Sequence, residues 1–316
     1  MPAHPTVRWG TALVLGTLVA GAARRRNALS GSGAAGAAAV GTAVFGAGGV
    51  RGSALLLLFF GSSTALSRLR GRARHEDGAA PNAASTTRSV EDGPRRTLAQ
   101  VLANGGAPAV LALIGGVRRA PREPTAHAPH GPAVPTAVAG ARPASPWDAA
   151  YAGALAAANA DTWATEIGRF SRAAPRMVTT WRRAEPGVSG AITPLGTTAS
   201  LGGALVIGLS HALLSLPRPV SSSAALETAL RVTAAGFAGA LADSMLGATA
   251  QAVYVCRACG RRTEDRTHAH DDAPPNLALT RGLPFMTNDS VNLCASLAGA
   301  GIAALTAREK RGTLEE

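Results

Sequence analysis

Apolar runs alternate with short basic spacers along most of the chain, near 9–23, 31–50, 53–67, 97–117, 146–168, 193–216, 224–255 and 288–306. The stretch "ALLLLFFGSSTAL" carries no charge anywhere around its circumference, so as a helix it has no face for water. A spanning helix needs roughly 20 apolar residues; several runs are shorter and Gly softens their edges, which gives about six to eight spans. The pattern therefore predicts an all-α fold, a polytopic integral membrane helical bundle rich in small residues. The competing architecture, a soluble Ala-rich bundle, is disfavoured because long stretches lack a polar face. The first run resembles a signal peptide in having Arg8 before it and a small-residue end. The Arg24–Arg26 cluster behind it fits a retained span better.

The same pattern divides the chain. N-terminal spans occupy 1–70, a polar cytoplasmic loop 71–94, a further span 95–117 and a Pro-rich loop 118–145. A central membrane core with acidic motifs follows over 146–255. A Cys/His-containing loop covers 256–284, and a last span and tail 285–316. Residues 70–96 and 118–146 are polar without periodicity, so low order is expected there.

Charge orients the bundle. The net charge of +12 comes almost wholly from Arg, with Lys310 the one lysine. With eight spans and the 24–30 spacer in the cytoplasm, 20 basic residues fall on the cytoplasmic side and 10 on the other. The chain is then a multi-pass protein of the cell membrane, with the lipid bilayer as its first partner. Nucleic acid is not an expected partner, because the Arg clusters sit between apolar runs with no aromatic interleaving; aromatics make up 4% of the chain. Oligomeric state is not readable from the pattern. Three cysteines give no disulfide framework.

Polar residues inside apolar helices carry the chemistry. In "AGALAAANADTWATEIGRFS", Asn159, Thr162 and Glu166 share a helix face, while Asp161 lies about 140° from Glu166. Either this helix is surrounded by protein or it unwinds to line a cavity. Two acids there need compensating cations or a metal. In "AGALADSMLGATAQAVYV", Asp243 borders a Ser244, Gly247, Gln251 stripe, and Gly239 and Gly247 permit close helix approach. In "MTNDSVNLCAS", Asn288, Asp289, Asn292 and Ser296 line one side of the last helix. Thr287 to Ser290 also reads as an ordinary N-cap, which leaves Asn292 unexplained. The segment "PGVSGAITPLGTTASLGG" has Thr193 as N-cap and Pro194 at the first helical position. Gly196, Thr197 and Ser200 there offer amides and hydroxyls to a phosphate, although no Walker-type ending is present. Finally, Cys256-x-x-Cys259 with His268-x-His270 has a ligand set suited to zinc, the second pair being closer than in common fingers. The plain alternative is a basic loop with two reduced thiols.

"ANADTWATEIG", "GTTASLGG", "ADSMLGATAQ" and "TNDSVN", with "RRTLAQVLANGG" and "FFGSSTALSR", resemble the hallmarks of one membrane-protein family. It is known as domain of unknown function ninety-two, or the transmembrane protein nineteen family. The resemblance covers most of residues 28–306 and spares the two polar loops. It departs at Ala191, where a second Gly of the glycine segment is expected, and in the Cys/His stretch, which only some relatives carry. The family includes a plant plastid member implicated as a phytyl-phosphate kinase, and related prenol kinases favour CTP. The resemblance thus implies a kinase that moves a phosphoryl group from a nucleoside triphosphate, CTP or ATP, to an isoprenyl monophosphate. Such chemistry needs positioned phosphates and metal-neutralised charge. Asp161, Glu166 and Asp243 are then the expected catalytic and Mg²⁺-binding carboxylates. Asn159, Gly196, Thr197, Ser200, Gln251, Asn288, Asp289 and Asn292 are the expected substrate contacts. Arg95, Arg96 or Arg182 would clamp nucleotide at the cytoplasmic edge. Zn²⁺ at Cys256, Cys259, His268 and His270 is optional to this reading. Intramembrane acids and Gly breaks also fit a transporter of unknown substrate, and a structural membrane protein is the remaining alternative.

Overall fold

A computed structural model describes residues 5–76, 95–119, 145–215, 221–264, 266 and 276–312. Seven helices lie among them: α1 (Pro5–Arg25), α2 (Gly31–Glu76), α3 (Leu98–Arg119), α4 (Pro146–Gly168), α5 (Pro194–Ser215), α6 (Ser222–Thr249) and α7 (Asn288–Gly312). Five of them, α1, α2, α3, α5 and α7, are long and apolar enough to cross a membrane. The other two, α4 and α6, carry the internal acids and have the length to span as well, at 23 and 28 residues.

Helix α2 is two spans, not one. Gly49 breaks it with φ 60° and ψ −159°, a conformation open to glycine. A straight helix would separate residues 26 and 68 by about 60 Å at 1.5 Å per residue. Yet the Arg68 guanidinium donates to the Arg26 carbonyl at 3.0 Å. The chain therefore reverses at Gly49, and the arms 31–48 and 50–76 run antiparallel. Counted this way the described residues hold eight helical segments, one for each apolar run of the sequence.

Small residues set the helix contacts, because they let backbones approach closely enough for dispersion to act along a whole face. Helix α4 lies at the centre. From Ala149 to Ala160 every residue is buried. Tyr151 donates to the Gly52 carbonyl at 2.6 Å, Gly153 abuts Gly299 on α7, and Gly236 of α6 abuts Ala156. The remaining core gathers Val44, Leu55, Phe59, Leu155, Ile207 and Val232. Many other Leu and Val side chains point outward, as on α1, where Leu13 is 57% and Leu18 63% exposed. That inversion, small inside and large outside, suits a bundle whose solvent is lipid.

Short strands collect at the end of the bundle where α4 and α6 finish. β1 (Arg176–Met177) pairs with β2 (Ala191–Ile192). β3 (Val253–Cys256) pairs antiparallel with both β4 (Arg262–Thr263) and β5 (Leu277–Arg281). This corrects one expectation: the apolar run to residue 255 is not all helix. α6 ends at Thr249 and the chain turns into β3, so the membrane core closes before the expected boundary at 255. The polar loop over 71–94 and the Pro-rich loop over 118–145 lie almost wholly outside the described residues.

Candidate functional site

Three helices converge at one level. A Cβ built on Gly239 of α6 would sit 2.6 Å from the Ala157 Cβ of α4 and 2.8 Å from the Ala295 carbonyl of α7. One helical turn onward from that contact, toward the strand-bearing end, α4 carries Asp161 and α6 carries Asp243. One turn back along antiparallel α7, at the same level, stands Asn292. Because α4 and α6 touch at Ala157 and Gly239, the two aspartates stand one turn beyond the same close helix contact. The Oδ2 atom of Asp243 is buried and has no hydrogen-bond partner among the described residues. Ser296 Oγ, one turn deeper on α7, is likewise buried without one.

A cation reaches the same region from the sheet. Arg281, the last residue of β5, donates through Nη2 to the Gly247 carbonyl at 2.9 Å, one turn beyond Asp243. Its Nε is buried without a partner among the described residues. Sequence reasoning missed Arg281. It lies far from the acids in sequence, on a strand that the polar loop did not announce. The only available signal was the lone Arg in "NLALTRGLPF" directly before the last helix.

Glu166 does not join the pair. Its Oε1 accepts from Ser67 Oγ of α2 at 2.8 Å, and it faces Arg96 at the entry to α3. Burial lowers the pKa of the Arg96 guanidinium, and the Glu166 carboxylate acts against that shift. No cluster of three His, Cys, Asp or Glu side chains suited to a metal exists among the described residues. The three carboxylates expected together are not gathered in one place: Glu166 bonds Ser67 on α2, apart from the two aspartates. The reason is helical: positions five apart diverge by about 140°, and α4 stays helical through both. The helix did not unwind; it is buried from Ala149 to Ala160 and half-buried at Asp161.

Several expected substrate contacts are engaged within the protein. Asn159 is fully buried. Its Nδ2 donates to the Gly203 carbonyl at 2.8 Å, and its Oδ1 accepts from Ser62 Oγ at 3.0 Å. It ties α2, α4 and α5 together. Gln251 Nε2 donates to Ser189 Oγ at 3.0 Å and Glu264 Oε2 at 2.7 Å, bracing the loop before α5 against the sheet. At the start of α5, Thr193 Oγ1 takes the Gly196 amide at 3.0 Å, and Thr197 Oγ1 donates back to the Thr193 carbonyl at 3.0 Å. Gly196 has no side chain because a Cβ would press on the Ala164 carbonyl at 3.1 Å. Ser200 is buried one turn further. Thr287 caps α7 through the Ser290 amide at 3.3 Å, leaving Asn288 exposed and Asp289 half-buried. Arg182 is exposed on the loop between β1 and β2.

Cys256 ends β3 and Cys259 lies in the turn to β4, where the Gly260 amide donates to the Cys256 carbonyl at 2.8 Å. No disulfide links them. His268 and His270, the other half of the expected zinc set, lie outside the described residues.

A helical bundle packed around a small-residue centre, with five helices among the described residues long and apolar enough to cross a membrane, defines a polytopic integral membrane protein. Residues 14–300 match the family of integral membrane proteins DUF92, and the chain belongs to that family. It is similar to Protein PGR of Arabidopsis thaliana, 27% identical over 302 residues, covering 94% of this chain and 95% of that protein. It is also similar to an uncharacterised membrane protein of Methanocaldococcus jannaschii, 42% identical over 98 residues, 31% of this chain and 38% of the other. No solved structure matches.

Proposed function

We propose that this protein is a prenyl-phosphate kinase, with Asp161 and Asp243 at its catalytic centre. The observation that carries the reading is the pair itself: two carboxylates one turn beyond the contact of adjacent helices, one with a buried oxygen that no group among the described residues satisfies. Two like charges in an apolar bundle are costly unless a cation joins them. The donor set is all oxygen, which suits Mg²⁺ held by one or two carboxylates and completed by phosphate oxygens. Asp161 and Asp243 would hold that ion, which neutralises charge on the transferring phosphoryl group.

The other side chains support a phosphate-bearing substrate at the same place. The Arg281 guanidinium, fixed at the end of α6, is a donor for a phosphate oxygen. Asn292 stands at the level of the pair with an amide that can orient the acceptor. The reaction joins an oxygen of the isoprenyl monophosphate to the terminal phosphorus of CTP or ATP. The bond from that phosphorus to the bridging oxygen breaks, and the nucleoside diphosphate leaves. The isoprenyl tail lies against the Ala/Gly faces or in surrounding lipid, while the nucleotide enters from the side that bears the strands and most of the arginines. On the positive-inside rule that side is cytoplasmic. Purified protein with labelled CTP or ATP and a series of isoprenyl monophosphates tests the reading. Formation of labelled isoprenyl diphosphate supports it, and none with any pair refutes it.

A further inference from the structure

At the Arg-rich end of the bundle a cavity of about 520 Å³ opens between the end of α1, the start of α2 and the entry to α3. Its lining includes Arg24, Arg25 and Arg95, with Gly21 and Gly31, and no acid among the described residues. Arg24 and Arg25 are exposed, so their charges are available to a ligand. The cradle is tied in place from below. The Ser30 amide donates to the Arg96 carbonyl and the Arg96 amide to the Ala28 carbonyl, each at 3.1 Å, around a fully buried Leu29. Asn27 holds a positive φ of 57° in the turn, an unusual conformation that asparagine tolerates. Gly21 leaves open space where a side chain would stand. Below the cavity, α1 presents Val14 and Leu18 outward, 58% and 63% exposed.

We propose that this cavity binds the phosphate of an anionic phospholipid, whose acyl chains lie along the outward face of α1. Three arginines line the place where a headgroup would sit, Arg24 and Arg25 exposed among them, and guanidinium forks match phosphate oxygens. Basic pockets at the cytoplasmic ends of spanning helices are suited to such headgroups. The apolar α1 face directly below distinguishes a lipid from a free anion, since a free anion makes no use of it. The site is separate from the aspartate pair: α1 packs chiefly on α2, while the pair lies between α4 and α6. It stands whether or not the protein is a kinase.

The test is native mass spectrometry of the purified full chain with added phosphatidylglycerol, phosphatidylcholine or inorganic phosphate. Wild type should retain phosphatidylglycerol over phosphatidylcholine. The double variant Arg24→Gln/Arg25→Gln should bind it about thirtyfold more weakly, at roughly 1 kcal/mol per basic residue near a headgroup. Gly21→Phe, which changes no charge and meets no backbone strain, should also lose it by filling the mouth. Arg51→Gln, at the opposite end, should bind as wild type does, which separates this site from a general charge effect. Equal phosphatidylglycerol retention by wild type and the double variant overturns the proposal. So does inorganic phosphate binding as tightly as the lipid and displacing it, which would make this a site for a soluble anion. Circular dichroism of each variant verifies that the bundle is intact.

Discussion

Replacing Gly239 with alanine should damage the centre of the protein although it adds one methyl group. The new Cβ would stand 2.6 Å from the Ala157 Cβ and 2.8 Å from the Ala295 carbonyl. Carbon contacts settle at about 3.5–4.0 Å, so α6 must retreat from α4 by about 1 Å. Neither neighbour is a flexible chain end that could swing aside. Such overpacking costs about 1–3 kcal/mol. Alanine also gains about 1 kcal/mol of helix propensity over glycine, which would mask part of the loss. Gly301→Ala supplies the correction, because nothing lies within 4 Å of a Cβ there and the propensity gain is the same. The two variants should therefore differ in stability by about 1–3 kcal/mol, read by thermal unfolding in one detergent. Activity should separate them further. Asp243 lies one turn from Gly239, and a 1 Å misplacement of catalytic groups costs about a hundredfold in rate. Equal stability and equal activity of the two alanine variants would refute the three-helix contact as the feature that positions the aspartates.

Asn159→Ala removes two interhelical hydrogen bonds, so unfolding should be easier by about 1–3 kcal/mol; unchanged stability would contradict its role as a tie between α2, α4 and α5. Arg281→Gln should raise KM for a phosphate-bearing substrate at least about tenfold with kcat less affected, since it removes one charge-assisted contact; an unchanged KM would exclude it from substrate binding. A zinc knuckle built from Cys256, Cys259, His268 and His270 requires about one zinc per chain and a loop that becomes protease-sensitive on chelation. Metal content well below that, with unchanged proteolysis, removes the knuckle and leaves the aspartate site untouched.

The membrane bundle was legible because lipid imposes a simple rule: apolar runs of spanning length must be helices. Even the break at Gly49 shows in the sequence, where one run ends at residue 50 and the next begins at 53. The end of α6 was not legible. Its apolar run continues through Val253 and Val255, and periodicity alone does not separate a buried helix from a short strand. The aspartates stood out because carboxylates are rare in such helices. That Glu166 bonds Ser67 of α2, apart from them, did not, since it depends on which neighbours α4 meets on each side. Asn159 drew attention for the same reason as the acids, yet its amide is occupied by Gly203 and Ser62. An amide in an apolar helix serves packing as readily as catalysis, and only its partners distinguish the two. Arg281 was invisible because the sheet that delivers it is assembled from strands of two to five residues.

The central claim is that phosphoryl transfer depends on the Asp161–Asp243 pair. The most direct measurement compares purified wild type, Asp161→Asn and Asp243→Asn for transfer of label from CTP or ATP to isoprenyl monophosphate, with Mg²⁺ varied. Asparagine conserves shape and removes a charge from an apolar helix, so insertion and folding should persist. The account predicts Mg²⁺-dependent transfer by wild type and its near-complete loss in both folded variants. Full activity in either variant would contradict it.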